Sequence, residues 1–187
     1  MVIDLAVRDL VPRLGAVRLV AIDGPSGSGK SVLADRLVAG WRDVGVAVGL
    51  VRTDDFATWD EPVGWWPRLV AGVLEPLADG RPGRYQRVEW VDGRPRPGDW
   101  VPVDVPEVLV VEGVSAGRCS VRPKLSALVW CEWPDQARRL ERAVGRDGEE
   151  CRAPLRAWQE FEDGWFAVDA PMTVADVRYP DISARYG

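Results

Sequence analysis

The run Gly24-Pro25-Ser26-Gly27-Ser28-Gly29-Lys30-Ser31 constrains this chain more than any other stretch. It matches G-x-x-x-x-G-K-[ST], the P-loop pattern. The surroundings agree. Arg18-Leu19-Val20-Ala21-Ile22-Asp23 is a short apolar run that predicts a buried strand before the loop. Val32 to Val38 carries apolar residues at helical spacing after it. Strand, loop and helix are the context the motif requires. Gly24, Gly27 and Gly29 allow backbone conformations closed to residues with a side chain, which turns N–H groups inward toward a phosphate. The following helix adds its positive N-terminal end. Lys30 would reach the β- and γ-phosphates, and Ser31 would offer its hydroxyl to Mg²⁺. The expected nucleotide contacts are Gly24, Ser26, Gly27, Ser28, Gly29, Lys30, Ser31 and Val32, with ATP and Mg²⁺ as the ligands.

The chain has 187 residues, which suits a single domain with a sizeable core. A net charge of −5 argues against a general nucleic-acid surface. Lysine occurs only at Lys30 and Lys124, so one of the two is the P-loop lysine. Histidine is absent, which removes His-based general bases and His-ligated metals. Cys119, Cys131 and Cys151 are odd in number and widely spaced, so neither a disulfide framework nor a zinc site is expected. Asp4, Arg8 and Asp9 interrupt the apolar N-terminus, which excludes a signal peptide, and no apolar run is long enough to cross a bilayer. A cytoplasmic protein with no membrane partner is the expectation; self-association is left open.

Residues 3–14 place Ile3, Leu5, Val7, Leu10, Val11 and Leu14 mostly on one helical face, which predicts a short packing helix. After the P-loop helix, Val46 to Val51 predicts a second buried strand. It runs into Arg52-Thr53-Asp54-Asp55-Phe56, with two acids where open α/β sheets bind ligands. A carboxylate there can accept a proton from an attacking hydroxyl or bind Mg²⁺. The alternative is a solvated pair capping the next turn.

The P-loop together with a strand ending in Asp54-Asp55-Phe56 resembles the uridine kinase superfamily, which includes nicotinamide riboside kinase, pantothenate kinase and phosphoribulokinase. The resemblance covers most of the chain. It implies an α/β P-loop NTPase fold with three α/β/α layers. The sheet would be five-stranded and parallel, in the order 2-3-1-4-5, with a β-hairpin insertion and a helical lid. It also implies Asp54 as the base for the acceptor hydroxyl. Residues 57–103 would form the acceptor region and about 135–153 the lid of one domain spanning 1–187.

Within the acceptor region, Trp59, Trp65 and Trp66 lie among prolines. Trp59 and Trp65 could stack on a ring substrate or pack against the sheet edge. Leu69 to Leu77 predicts a helix. Tyr85 to Val103 alternates around Asp92-Gly93, a strong hairpin signal. The resembled kinases contact the nucleoside here through a Tyr-Asp-Phe-like run and a His. Tyr85 is present in this chain, but the following residues differ and there is no His. Phe56, Trp59, Trp65, Tyr85 and Arg87, with Asp54, are the expected acceptor contacts.

Glu107 to Gly113 predicts a buried parallel strand ending in Glu112, at the place of a Walker-B acid. Glu112 would join Ser31 and Asp55 around Mg²⁺, or else pair with an Arg at the sheet rim. Leu128 to Trp133 predicts a fourth strand. A helix from Pro134 carries Arg139, Arg142 and Arg146 at helical spacing. The resemblance makes these the lid arginines, with Arg139 on the nucleotide and Arg142 and Arg146 catalytic beside Lys30, Asp54 and Glu112. The alternative is a solvated basic face. Pro154 to Ala167 predicts a helix with Leu155, Trp158, Phe161 and Trp165 as a packing stripe, and Thr173 to Tyr179 predicts a fifth strand.

The expected activity is ATP-dependent phosphoryl transfer to a hydroxyl of a nucleoside-like small molecule. Two alternatives stand beside it. One is a nucleoside monophosphate kinase, with Arg68, Arg84 and Arg87 as cations for the extra phosphate. The other is a non-catalytic ATP-binding regulator.

Overall fold

The computed structural model describes residues 6–180. Strand β1 (Arg18–Asp23) leads through the P-loop into helix α1 (Lys30–Asp43), and β2 (Val48–Arg52) follows. A helical stretch then runs through α2 (Trp66–Leu69), a π-helical turn (Val70–Leu74) and α3 (Glu75–Ala78). Pro76 lacks the N–H that would bond back to Gly72, so the regular ladder fails in this stretch. Next come the paired strands β3 (Gly83–Val91) and β4 (Arg94–Val103), then β5 (Val108–Glu112) and β6 (Leu125–Glu132). Helices α4 (Gln136–Asp147) and α5 (Arg152–Asp169) precede β7 (Val177–Pro180).

The main sheet has the order β2-β5-β1-β6-β7 with every pair parallel. Counted among sheet strands alone this is 2-3-1-4-5, as expected. Each central strand feeds two cores, because side chains alternate across a sheet. Val108 and Val110 of β5 join the core beneath α1, while Leu109 and Val111 join the opposite one. Leu33, Ala34, Leu37, Val38 and Trp41 of α1 recur at helical spacing and close the first core. Leu69, Val73, Leu74 and Leu77 close the second.

The hairpin β3–β4 forms a separate two-stranded sheet. Asp92 and Gly93 take φ of 51° and 71°, the left-handed pair that a tight hairpin turn needs. Its base is pressed onto the π-helical turn: a Cβ on either Gly72 or Gly83 would strike the backbone of the other segment. Among the described residues no helix is long and apolar enough to cross a membrane.

Three boundaries differ from expectation. The predicted N-terminal helix over 3–14 is only a 3-10 turn at Val7–Asp9; residues 3–5 lie outside the described residues. Pro12 explains the stop, since the residue before a proline is pushed out of the helical region. The fourth strand starts earlier, at Leu125. The fifth begins at Val177, because Pro171–Val174 forms a 3-10 turn instead.

Candidate active site

The P-loop bends as its glycines allow. Gly24, Gly27 and Gly29 have φ of 142°, 77° and 92°. Gly27 also needs its missing side chain: a Cβ there would come within 2.8 Å of the Arg139 carbonyl oxygen on α4. Asp23, fully buried, braces the entrance. Its carboxylate accepts N–H bonds from Gly24 at 2.7 Å, Ser115 at 3.2 Å and Gly117 at 2.8 Å. Burial pushes its pKa up to about 7, against the pull of those donors and of Lys30.

A cavity of about 350 Å³ lies over the loop, lined by Gly27, Gly29, Lys30, Ser31, Asp54, Glu112, Arg142 and Arg146 among others. Lys30 is nearly buried, with its ammonium on the Pro25 carbonyl at 3.0 Å. Ser31 donates its hydroxyl to Glu112 Oε1 at 3.3 Å. Arg52 holds the other Glu112 oxygen at 2.9 Å and reaches Asp35 at 2.6 Å. Glu112 therefore faces the P-loop serine and also makes the rim ion pair that the sequence offered as its other reading. Desolvation raises its pKa, and Lys30 opposes the rise.

The residues present fit a nucleotide triphosphate with Mg²⁺. Ser28 Oγ is buried without a hydrogen-bond partner in the loop, and Ser31 and Glu112 already converge. Mg²⁺ on a nucleotide needs only one or two protein oxygens besides the phosphates. Ser31 and Glu112 are placed to offer such oxygens, and Asp54 lies on the same wall.

Asp54, Asp55 and Phe56 part company. The short 3-10 turn Thr53–Asp55 sends them in three directions. Asp54 is exposed and lines the cavity. Asp55 turns to the hairpin, where Oδ2 accepts from the Tyr85 hydroxyl at 2.5 Å. Asp55 was expected at the metal beside Ser31 and Glu112; it is not among the residues lining this cavity. Phe56 is fully buried. It sits in a file of four rings, with Tyr85, Phe56, Trp65 and Trp66 at successive centroid distances of 4.7, 4.8 and 5.2 Å. Phe56, Trp65 and Tyr85, expected at the acceptor, are thus core residues that line neither cavity, because large rings gain more from packing than from standing in water. Arg87 pairs with Glu89 at 2.9 Å on the hairpin surface, away from both cavities described.

A second cavity of about 410 Å³ adjoins the first and shares Ser26, Asp54 and Arg146 with it. Three tryptophans from distant parts of the chain wall it: Trp59, Trp90 of the hairpin and Trp158 of α5. Trp59 lies 5.7 Å from Trp90 and 5.9 Å from Trp158, centroid to centroid. Trp59 was expected here. Trp90 was read only as part of the hairpin, and Trp158 only as packing.

The lid arginines also divide. Arg142 and Arg146 line the phosphate cavity. Arg142 also lies over the Trp133 ring at 4.4 Å, and Arg146 grips Asp147 at 2.6 and 2.7 Å. Arg139, expected on the nucleotide, is instead buried and donates to the Trp133 carbonyl; desolvation lowers its pKa. Helical spacing puts all three on one face, but Arg139 lies in the first turn of α4, pressed against Gly27 of the P-loop, where the Trp133 carbonyl takes its guanidinium.

Glu162 of α5 escaped the sequence reading. It is fully buried, yet both carboxylate oxygens accept the Ser26 N–H at 3.0 Å. It also accepts from the Ser26 hydroxyl and, at 2.6 Å, from Trp158 Nε1. Desolvation raises its pKa, and Lys30 opposes the rise. Only its place four residues after Trp158, on the same helical face, hinted at this.

No protein-family model matches the chain, and no curated protein matches it. Solved structures do. One is described as a possible uridine kinase from Bacillus stearothermophilus, at 19% identity and TM-score 0.64, covering 87% of this chain and 88% of that one. Another, a candidate fructose transport system kinase from Silicibacter sp. TM1040, has 19% identity and TM-score 0.60, over 94% and 95% of the two chains. At such identity the likeness is one of fold. The chain shares its overall fold with both, as the sequence resemblance implied.

Proposed function

We propose that this chain is an ATP-dependent kinase that moves the γ-phosphoryl group to a hydroxyl of a small, nucleoside-like acceptor. The observation that carries the reading is the shared wall. Asp54 lies where the P-loop cavity meets the tryptophan-walled one, so a hydroxyl in the second can face a phosphate in the first. Lys30 and the loop N–H groups hold the phosphates. Asp54 accepts the hydroxyl proton on its carboxylate as the oxygen attacks. Arg142 and Arg146 border the transferring group and offset its charge. Mg²⁺, held by Ser31 and Glu112, supplies further positive charge to the phosphates when bound. The stretch about 135–153 acts as a lid over the phosphates, and 57–103 as the acceptor region.

The monophosphate-acceptor alternative fares less well. Arg68 is engaged by Glu61 and the Phe56 carbonyl, Arg84 by the Trp100 ring, and Arg87 by Glu89. None of the three lines the tryptophan-walled cavity.

The deciding experiment is acceptor-dependent ADP release from Mg²⁺-ATP with pooled alcohols, repeated with Asp54→Asn. Turnover in the variant should fall by about 10²–10⁴-fold with nucleotide affinity little changed, the size expected of a positioned base. Near-normal turnover would remove Asp54 from that role. ATP binding with no transfer to any pool would favour a regulator.

A further inference from the structure

The ring geometry and the charges of the tryptophan-walled cavity favour one kind of group over another. Its three rings are not parallel. Trp59 and Trp90 are inclined at 57°, and Trp59 and Trp158 stand nearly at right angles, 79° apart. A flat neutral base stacks best in a slot between parallel faces. Inclined rings cannot all lie flat on one base. They can, however, present electron-rich surface from several directions to one point charge, which is how aromatic cages hold ammonium groups.

The charges agree. Among the described lining residues Arg146 is the sole cation, and Asp147 grips it at two points, 2.6 and 2.7 Å. Asp54 then leaves the lining with one carboxylate in excess, and Asp54 forms no ion pair among the described residues. Behind the wall stands a third carboxylate. Trp158 Nε1 donates to Glu162 at 2.6 Å, which fixes the orientation of the ring that lines the cavity. The described lining also contains no Asn or Gln amide to read the edge of a nucleobase. A site that selects a base through its polar edge needs such partners. Trp59 and Trp90 remain 43% and 42% exposed at the cavity mouth, so they offer ring surface that the fold itself does not cover.

We propose that the acceptor is a hydroxylated organic cation, held with its positive end in the Trp59–Trp90–Trp158 box and its hydroxyl at Asp54. This rests on the reading of that cavity as the acceptor site, and it narrows a nucleoside-like alcohol to one whose non-reacting end is positive.

The test uses a pair of alcohols of the same shape that differ in charge: choline and 3,3-dimethylbutan-1-ol. Each is titrated calorimetrically into the full chain, without nucleotide. Choline should bind about ten- to thirty-fold more tightly than its neutral twin, the span of a desolvated cation–π site. Trp90→Leu, on the exposed hairpin, should erase most of that preference; Trp59→Leu is the second variant should the first misfold. Equal or better binding of the neutral alcohol overturns the inference. Binding of neither overturns it as well. The kinase reading fails separately. Choline that binds, with no phosphoryl transfer to it or to any pooled alcohol, would leave the box standing and sink the transferase. Transfer to neutral alcohols alone would do the reverse.

Discussion

The two halves of the candidate site are built in opposite ways. The phosphate half is mostly local: from Gly24 to Val32 one contiguous stretch carries the loop N–H groups, the ammonium and the hydroxyl, and Asp54, Glu112, Val114 and part of α4 complete the cavity wall. The acceptor half is assembled at long range, from the loop at Trp59, the hairpin at Trp90 and helices α4 and α5. Backbone groups and a single ammonium suffice for a phosphate, because its chemistry is the same in every nucleotide. Recognition of an acceptor depends on side-chain surface, and side chains from separate elements can change without disturbing the loop. Under the proposed function, the reaction class resides in the contiguous half and the substrate in the dispersed one. Ser26 joins them: its N–H and hydroxyl are held by Glu162, and Glu162 in turn holds Trp158.

The largest effect that would break this division concerns Phe56. If Phe56 belongs to the core and not to the acceptor half, Phe56→Ala leaves a hole in the four-ring file and should cost about 3–5 kcal/mol of stability. Urea denaturation measures it, and nucleotide binding by the folded fraction should persist. An unchanged midpoint, with weakened acceptor binding, would return Phe56 to the acceptor and make the motif after β2 a binding motif throughout.

Next in size is Lys30→Met on the phosphate side. Loss of one preorganised charge beside the transferring group should lower turnover by about 10²–10³-fold. Choline binding in the tryptophan box should not move, since Lys30 does not line that cavity. A matched loss of both would show that the halves are one site with one electrostatic field.

The same division explains what the sequence disclosed. The sheet was legible strand by strand, because Leu19–Asp23 and Val108–Glu112 are buried on both faces and read as continuous apolar runs. Asp92-Gly93 announced the hairpin through its turn chemistry. The P-loop, Asp54 and Glu112 were legible because each sits at a strand end. The dispersed half was not. Trp158 and Trp165 share a helical stripe, and periodicity shows that a stripe exists without showing which neighbour each ring meets. Trp165 packs by Phe161 and Arg118, while Trp158 faces the cavity. Trp65 and Trp59 looked alike in a loop, yet one is 1% exposed and the other 43%. Glu162 was invisible for the same reason, since a buried carboxylate on a helix shows its partner only once the helix is docked.

A change of slope, smaller at each pH step than the losses above, tests whether the contiguous half is in fact self-sufficient. Asp23 ends β1, directly before the P-loop, and ties Gly24 to the loop after β5 through Ser115 and Gly117. Its pKa rises from 3.8 to about 7 on folding, chiefly through burial. Across that window the folded chain keeps a proton that the unfolded chain has released. The group's stabilising contribution is therefore complete below 3.8 and is lost as pH climbs through about 7. Asp23→Asn cannot titrate, so the variant's stability should fall less steeply with rising pH, by up to about 1.4 kcal/mol per pH unit inside the window. Urea midpoints of both proteins at several pH values, taken at one ionic strength, give the two slopes. Glu112 and Glu162 are raised in the same direction and keep titrating in both proteins, so the difference isolates Asp23. Parallel slopes would mean that Asp23 is ionised throughout and that the three N–H donors, not burial, dominate it. The entrance to the loop would then be a fixed anion facing Lys30, and the phosphate half would depend on a charge outside the motif as firmly as the acceptor half depends on its tryptophans.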